Sequence, residues 1–133
     1  DFLPKAKITG IEKSSYAREN SMEPVKNCIM SSDYKKFEFP DNKFDFILAI
    51  GVIYSLTLED AIKCLKEIQR AGKGKSFINL ASYKNENDYW LFKDWTVLGS
   101  LILQEDEWIE ILEHCKYTGD YYFTNAENLN LSR

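Results

Sequence analysis

With 133 residues, 44% of them hydrophobic and 29% charged, and a formal net charge of −4, the chain has room for one domain with a sizeable core and none for a second of ordinary size. The acidic balance argues against a non-specific nucleic-acid binder, since no basic stripe exists to neutralise phosphates, although a local Lys or Arg still suits an acidic substrate. The composition is that of a soluble globular protein; the early run AKITGI is too short for a signal peptide and lacks a cleavage pattern, and no apolar stretch reaches membrane-spanning length.

Taken in order, the first residues read as a loop marked by Pro4, then a short strand over 6–11 with Glu12 at its carboxyl end. Ser14 and Ser15 both qualify as N-caps for a helix reaching about Met22, which Pro24 stops. Residues 27–30 offer a brief strand running into Ser31, Ser32 and Asp33, and 34–43 is polar and turn-rich, with Pro40-Asp41-Asn42 as its clearest break. The stretch that organises the rest is 44–53, FDFILAIGVI, apolar except for Asp45. Its content suits a strand covered on both faces, the habit of a parallel sheet flanked by helices.

Thr57 and Asp60 then read as a capping box, and Ala61, Cys64, Leu65, Ile68 and Ala71 form an apolar stripe at spacings of three and four. Gly72 and Gly74 end that helix, and 76–81 is the next buried strand. Residues 83–95 read as a helix capped by Asn85, with Tyr89, Phe92 and Trp95 clustered, and 96–103 is β-prone but broken by Gly99-Ser100. Trp108, Ile111, Leu112 and Cys115 mark an amphipathic helix with Asp106 and Glu107 in its first turn, where the helix dipole favours them. A turn over 117–120 leads to a short last strand over 121–124, and the domain, residues 1–126, is followed by a polar, frayed tail over 127–133. Strand, helix and strand in succession are the grammar of an α/β, doubly wound, mostly parallel sheet, which takes ligands beyond the carboxyl ends of its strands.

On that rim Glu12 can accept two hydrogen bonds from a ribose diol, against the plain alternative of a solvated surface Glu. Asp33 can accept from an adenine amino group or simply serve a turn. Gly51 either admits a ligand to the backbone or relieves crowding. His114, the only histidine, reads as a cationic helix end and not as a base. Nothing has the spacing of a metal site, a Walker loop or a Ser, His and Asp triad. The three cysteines, Cys28, Cys64 and Cys115, are odd in number and far apart, which implies neither a disulfide framework nor a zinc site and suits a reducing, cytoplasmic setting. All three Trp follow residue 89, a sign that the C-terminal third either closes over something flat or apolar or is simply an aromatic core.

These motifs resemble the class I S-adenosylmethionine-dependent methyltransferases, whose sheet is Rossmann-like. GIEKSSYAREN, residues 10–20, is similar to that family's second strand and following helix; the resemblance implies a ribose-binding role for Glu12, with Lys13 beside it. MSSDYKKFEFPDNKFDFILAIGVIYSL, residues 30–56, resembles the run from the third strand through the fourth. It implies adenine contacts for Asp33 with Ser32 and Tyr34, and a cofactor-lining role for Ala49, Ile50 and Gly51. LKEIQRAGKGKSFINLAS, residues 65–82, looks like the helix, glycine turn and fifth strand, and residues 106–123 look like the closing helix and strand of small members of the family.

One departure stands out: the family's glycine-rich loop, which follows its first strand and holds the carboxypropyl end of the cofactor, does not occur before Pro4. That first strand belongs between the second and fourth, and a gap there leaves two rows of backbone groups unpaired. The expectation is therefore that these residues are part of a longer chain with the missing strand and helix ahead of Asp1, the alternative being a strand supplied by another copy or a partner.

The resemblance implies S-adenosyl-L-methionine as cofactor and methyl transfer to an acceptor by in-line displacement, with alignment and a dry pocket as the protein's main contribution. Tyr54, Tyr83, Tyr89 and Trp90 are candidates for acceptor contacts, or plain packing aromatics. The adenine-methylating signature of Asn or Asp, two prolines and an aromatic is absent, since that place reads AIGVIY; a small-molecule acceptor is favoured over nucleic acid, with no membrane partner and with an oligomer compatible with the sequence. The rival readings are a nicotinamide-dependent oxidoreductase and a non-catalytic relic of the same fold.

Overall fold

The clearest periodicity in the sequence becomes the longest helix. The computed structural model describes residues 5–132, and the loop expected at Pro4 lies outside them. In chain order the elements are β1 (Gly10–Ile11), α1 (Ser15–Glu19), α2 (Glu23–Lys26), β2 (Ile29–Met30), β3 (Ile47–Ala49), a 3-10 turn (Ile53–Ser55), α3 (Leu58–Ala71), β4 (Ser76–Ser82), α4 (Glu86–Trp95), β5 (Ile102–Leu103), α5 (Glu105–His114) and β6 (Asp120–Thr124). In α3 the buried residues are the five of the apolar stripe, and Thr57 caps it by accepting from the Asp60 N–H at 3.3 Å.

Every pairing between these strands is parallel. β1 pairs with β2 in one small sheet, and β3, β5 and β6 all pair with β4 in another. Ala81 pairs with Ile102 of β5 and with Thr124 of β6, so those two strands lie on opposite edges of β4. Phe77 and Ile78 pair with both β3 and β6, so β3 and β5 share one edge in succession. Alternation along β4 then sorts the helices. Ile78 and Leu80 pack in one core with the stripe of α3 and with Trp108 and Leu112 of α5, whereas Ala81, on the opposite face, packs with Phe92 of α4. Helices on both faces of a parallel sheet make this the doubly wound α/β arrangement the sequence implied. Trp108, fully buried, donates from Nε1 to the Ala81 carbonyl at 2.8 Å and so ties α5 to β4.

Several local expectations are corrected. Pro24 does not stop a helix; it sits in the first turn of α2, where its missing N–H is no loss. The strand expected over 6–11 pairs only at Gly10–Ile11, and the long central strand over 44–53 shrinks to Ile47–Ala49, because the chain turns at Gly51 into the 3-10 segment. Nor is that strand covered on both faces. Ala49 meets the α3 core, but Phe46, Leu48 and Ile50 are 55%, 64% and 58% exposed, since among the described residues no element packs on that side or pairs with the second edge of β3. After β6 the chain folds back instead of trailing away. Asn125 and Asn128 exchange backbone-to-side-chain bonds at 3.0 Å each, Asn128 Nδ2 donates to the Phe123 carbonyl at 2.6 Å, and Leu129 packs against the α4 core.

A clamp helps to join the two sheets. Glu67 and Arg70 of α3 grip the loop from β2 to β3. Glu67 Oε2 accepts from the Phe37 N–H at 2.6 Å, and Arg70 donates to the carbonyls of Phe37 and Phe39 and to Asp41 Oδ1 while paired with Glu67.

Candidate functional site

Because β1 and β2 run parallel, the residues after each strand emerge on the same rim. The Glu12 N–H donates to the Met30 carbonyl at 3.0 Å, so Glu12 stands one residue past the end of β1 with the ladder still formed beneath it. Glu12 Oε1 accepts from the Ser14 N–H at 2.8 Å and faces the Tyr34 hydroxyl at 3.4 Å, while Oε2 has no partner among the described residues. Arg18 Nη1 holds the turn by donating to the carbonyls of Glu12 and Lys13 at 2.7 and 2.9 Å. Burial, more than the neighbouring carboxylate, pushes the Tyr34 phenol above its ordinary value, so it stays protonated and can donate to Glu12. Tyr34 also lies 3.5 Å from the Lys13 N–H, so residues 12, 13 and 34 form one group.

Asp33 is three residues past β2, on the same rim as Glu12, and it does a turn residue's work. Its Oδ1 accepts from the Lys35 N–H at 2.9 Å, and that bond, helped by the Lys35 charge, holds the carboxyl below its ordinary value. Ser32, beside it, is different: its hydroxyl oxygen is buried and has no hydrogen-bond partner among the described residues. A buried hydroxyl left unpaired is costly.

At the end of β3, Ala49 is buried and Ile50 points out on the open face, so Ile50 contributes backbone and not an enclosed side chain. Gly51 has φ +73, a left-handed conformation that L side chains adopt at a cost, and a Cβ placed there would meet only the Tyr54 hydroxyl at 3.8 Å. The backbone thus faces open space with Tyr54 beside it. The Gly51 N–H donates to Asn79 Oδ1 at 2.7 Å, and Asn79 Nδ2 donates to Thr124 Oγ1 at 3.1 Å. Asn79 was not among the candidates read from sequence; its signal was there, an amide inside the otherwise apolar run of β4.

The remaining aromatics gather past the ends of β4 and β5. Tyr83 and Tyr89 meet edge to face at 5.4 Å, and Tyr89 and Trp90 at 5.2 Å, around a groove also lined by Asn85, Glu86 and Gln104. Tyr54 is apart from them, packed edge to face on Phe92 at 5.9 Å.

The fold is an α/β domain of parallel strands with a carboxylate past the end of β1 and a left-handed glycine past the end of β3, the end of such a sheet at which ligands generally bind. The chain matches the model of the methyltransferase domain family over residues 2–78, more than half its length, and it belongs to that family, with the Rossmann-like fold of its class I members. No curated protein matches it at a significant level. No helix of the described residues is long and apolar enough to cross a membrane.

Proposed function

We propose that this domain transfers a methyl group from S-adenosyl-L-methionine to a small-molecule acceptor in the cytoplasm. The observation that carries the reading is the parallel pairing of β1 with β2, which puts Glu12 and the Ser32–Asp33–Tyr34 turn on one rim and leaves Glu12 Oε2 without a partner among the described residues. That oxygen is an acceptor of the kind a ribose hydroxyl satisfies. Glu12 would take the ribose hydroxyls through Oε2, with Oε1 fixed by the Ser14 N–H and faced by Tyr34. Ser32 and Asp33 would border the base with Lys13, and Ala49, Ile50 and Gly51 would offer backbone along the cofactor's length.

When bound, the cofactor supplies a sulfonium-activated methyl group. The chain's own part is to orient and to exclude water: Gly51 lets a ligand approach the main chain, and Tyr54 stands beside it as a wall. A small molecule is favoured over nucleic acid by the net charge of −4. Three free cysteines, two of them buried, suit a reducing cytoplasm.

Calorimetric titration tests the reading. Saturable heat with S-adenosylmethionine and none with NAD is expected, and Glu12→Ala should weaken binding at least about tenfold, roughly 1.4 kcal/mol. Wild-type affinity in that variant, or saturation by NAD instead, would overturn it.

A further inference from the structure

The aromatic groove beyond β4 and β5 has a chemistry of its own. It is a shallow, open groove of about 380 Å³ lined by Tyr83, Asn85, Glu86, Tyr89, Trp90 and Gln104. Its three rings stand at near right angles, 81° between Tyr83 and Tyr89 and 88° between Tyr89 and Trp90, so they form a corner and not a flat stack. Such a corner offers negative ring faces from more than one direction. It is also held in place from below: Tyr83 and Tyr89 pack on the Ala81, Phe92 and Ile102 core, and Asn85 caps α4 by accepting from the Asp88 N–H at 3.1 Å. The rings are therefore positioned before any ligand arrives.

Around the groove acidic groups outnumber the one nearby lysine, Lys84, whose charge faces Glu127, Glu105 and Asp88. Glu86 is the only lining residue with a formal charge near neutral pH, and among the described residues its carboxylate makes no ion pair or hydrogen bond. Asp88, also in the first turn of α4, adds a second negative charge, and the positive end of the helix is offset by these two and by the Asn85 side chain. The nearest lysine in sequence, Lys84, is paired with Glu127. Among the described residues no cation lines the groove, so an incoming cation would meet π faces and an unpaired carboxylate together.

The geometry points to this groove as a binding subsite for an alkylammonium group. Its use as the subsite for a cationic amine portion of the methyl acceptor rests on the proposed methyl transfer; the cation preference does not. The groove opens past the carboxyl ends of β4 and β5, and the strand pairings put Gly51 at the same end of the same parallel sheet.

The test uses choline, which bears a permanent ammonium, and 3,3-dimethylbutan-1-ol, its neutral isostere, titrated into the protein with tryptophan fluorescence as readout and no methyl donor present. Choline should saturate at least about tenfold more tightly than the alcohol, and both Trp90→Leu and Glu86→Gln should weaken it by about tenfold or more. Trp90 is 48% exposed and Glu86 is exposed, so neither change threatens the fold, which circular dichroism would verify. Equal binding of the two probes, no saturation by choline, or choline affinity unchanged in both variants would overturn the proposal. Because no methyl donor is present, such a failure leaves the S-adenosylmethionine titration untouched, and a failed S-adenosylmethionine titration leaves the groove's cation preference standing.

Discussion

Asn79 Oδ1 lies 2.7 Å from the backbone nitrogen of Gly51, and the Asn79 amide nitrogen lies 3.1 Å from the Thr124 hydroxyl. One buried side chain in the middle strand thus ties the turn after β3 to the end of β6. The turn it holds is the one in which Gly51 faces open space, so its shape is set by a residue that need never touch a ligand.

Removing that amide should loosen the turn. Asn79→Ala leaves the Gly51 N–H and Thr124 hydroxyl without their partner, a cost of about 1 to 3 kcal/mol in stability by urea denaturation. It should also weaken S-adenosylmethionine binding. Asn79→Asp keeps an acceptor for Gly51 and lets the Thr124 hydroxyl donate in turn, so it should retain most of the affinity that the alanine variant loses. Equal loss in both variants would reduce Asn79 to an ordinary buried residue.

Gly51 itself separates backbone strain from ligand access. Gly51→Ala has room for its Cβ, 3.8 Å from the Tyr54 hydroxyl, so its cost should come from the left-handed backbone, roughly 1 to 2 kcal/mol. Gly51→Asn tolerates that conformation better and should recover part of the stability. Neither should recover cofactor affinity if the ligand approaches the main chain here. Binding that tracked stability in both variants would place the ligand elsewhere.

How far the sequence could be read follows from the range of each interaction. The α3 stripe, its Thr57 cap and the Asn85 cap of α4 depend on residues three or four apart, and each appears where the spacing puts it. The length of β3 was not legible, since its apolar run says nothing about whether a neighbour lies on both faces; Leu48 at 64% exposure shows that one face has none among the described residues. The clustering of Tyr83, Tyr89 and Trp90 was partly local, whereas Asn79 with Gly51 and Thr124 joins residues 28 and 45 positions apart and follows only from the strand register. Tyr34 meets Glu12 and Lys13 because β1 and β2 are parallel neighbours, which periodicity alone does not decide.

Acid should release the clamp between the two sheets. Hydrogen bonds from Arg70, more than that from the Phe37 N–H, hold the Glu67 carboxyl below its ordinary value of 4.5. A carboxylate depressed in the folded state contributes stability that is complete above its unfolded value and is lost as the pH falls through the folded one. Denaturation midpoints should therefore decline below about pH 4.5, and Glu67→Gln should flatten that limb at the expense of stability at neutral pH. The loop bearing Phe37 and Phe39 should be the first to lose amide-exchange protection. An unchanged acid limb in Glu67→Gln would assign the loss to other carboxylates.

The thiols offer a check on how closed the core is around the site. Burial pushes Cys64, on the stripe of α3, up to about 12 and raises Cys115 too, so at pH 8 both are present as unreactive thiols. Cys28, just before β2, is half-buried and more accessible. Labelling of the native protein with a chromogenic disulfide at pH 8 should modify Cys28 alone, and denaturant should release all three. A ligand bound on the rim after β1 and β2 should slow the Cys28 reaction by steadying the strand pair. Fast native labelling of Cys64 would mean that α3 opens readily from β3 and β4, and a core that opens so readily would not hold the Gly51 turn in the shape that the proposed cofactor site requires.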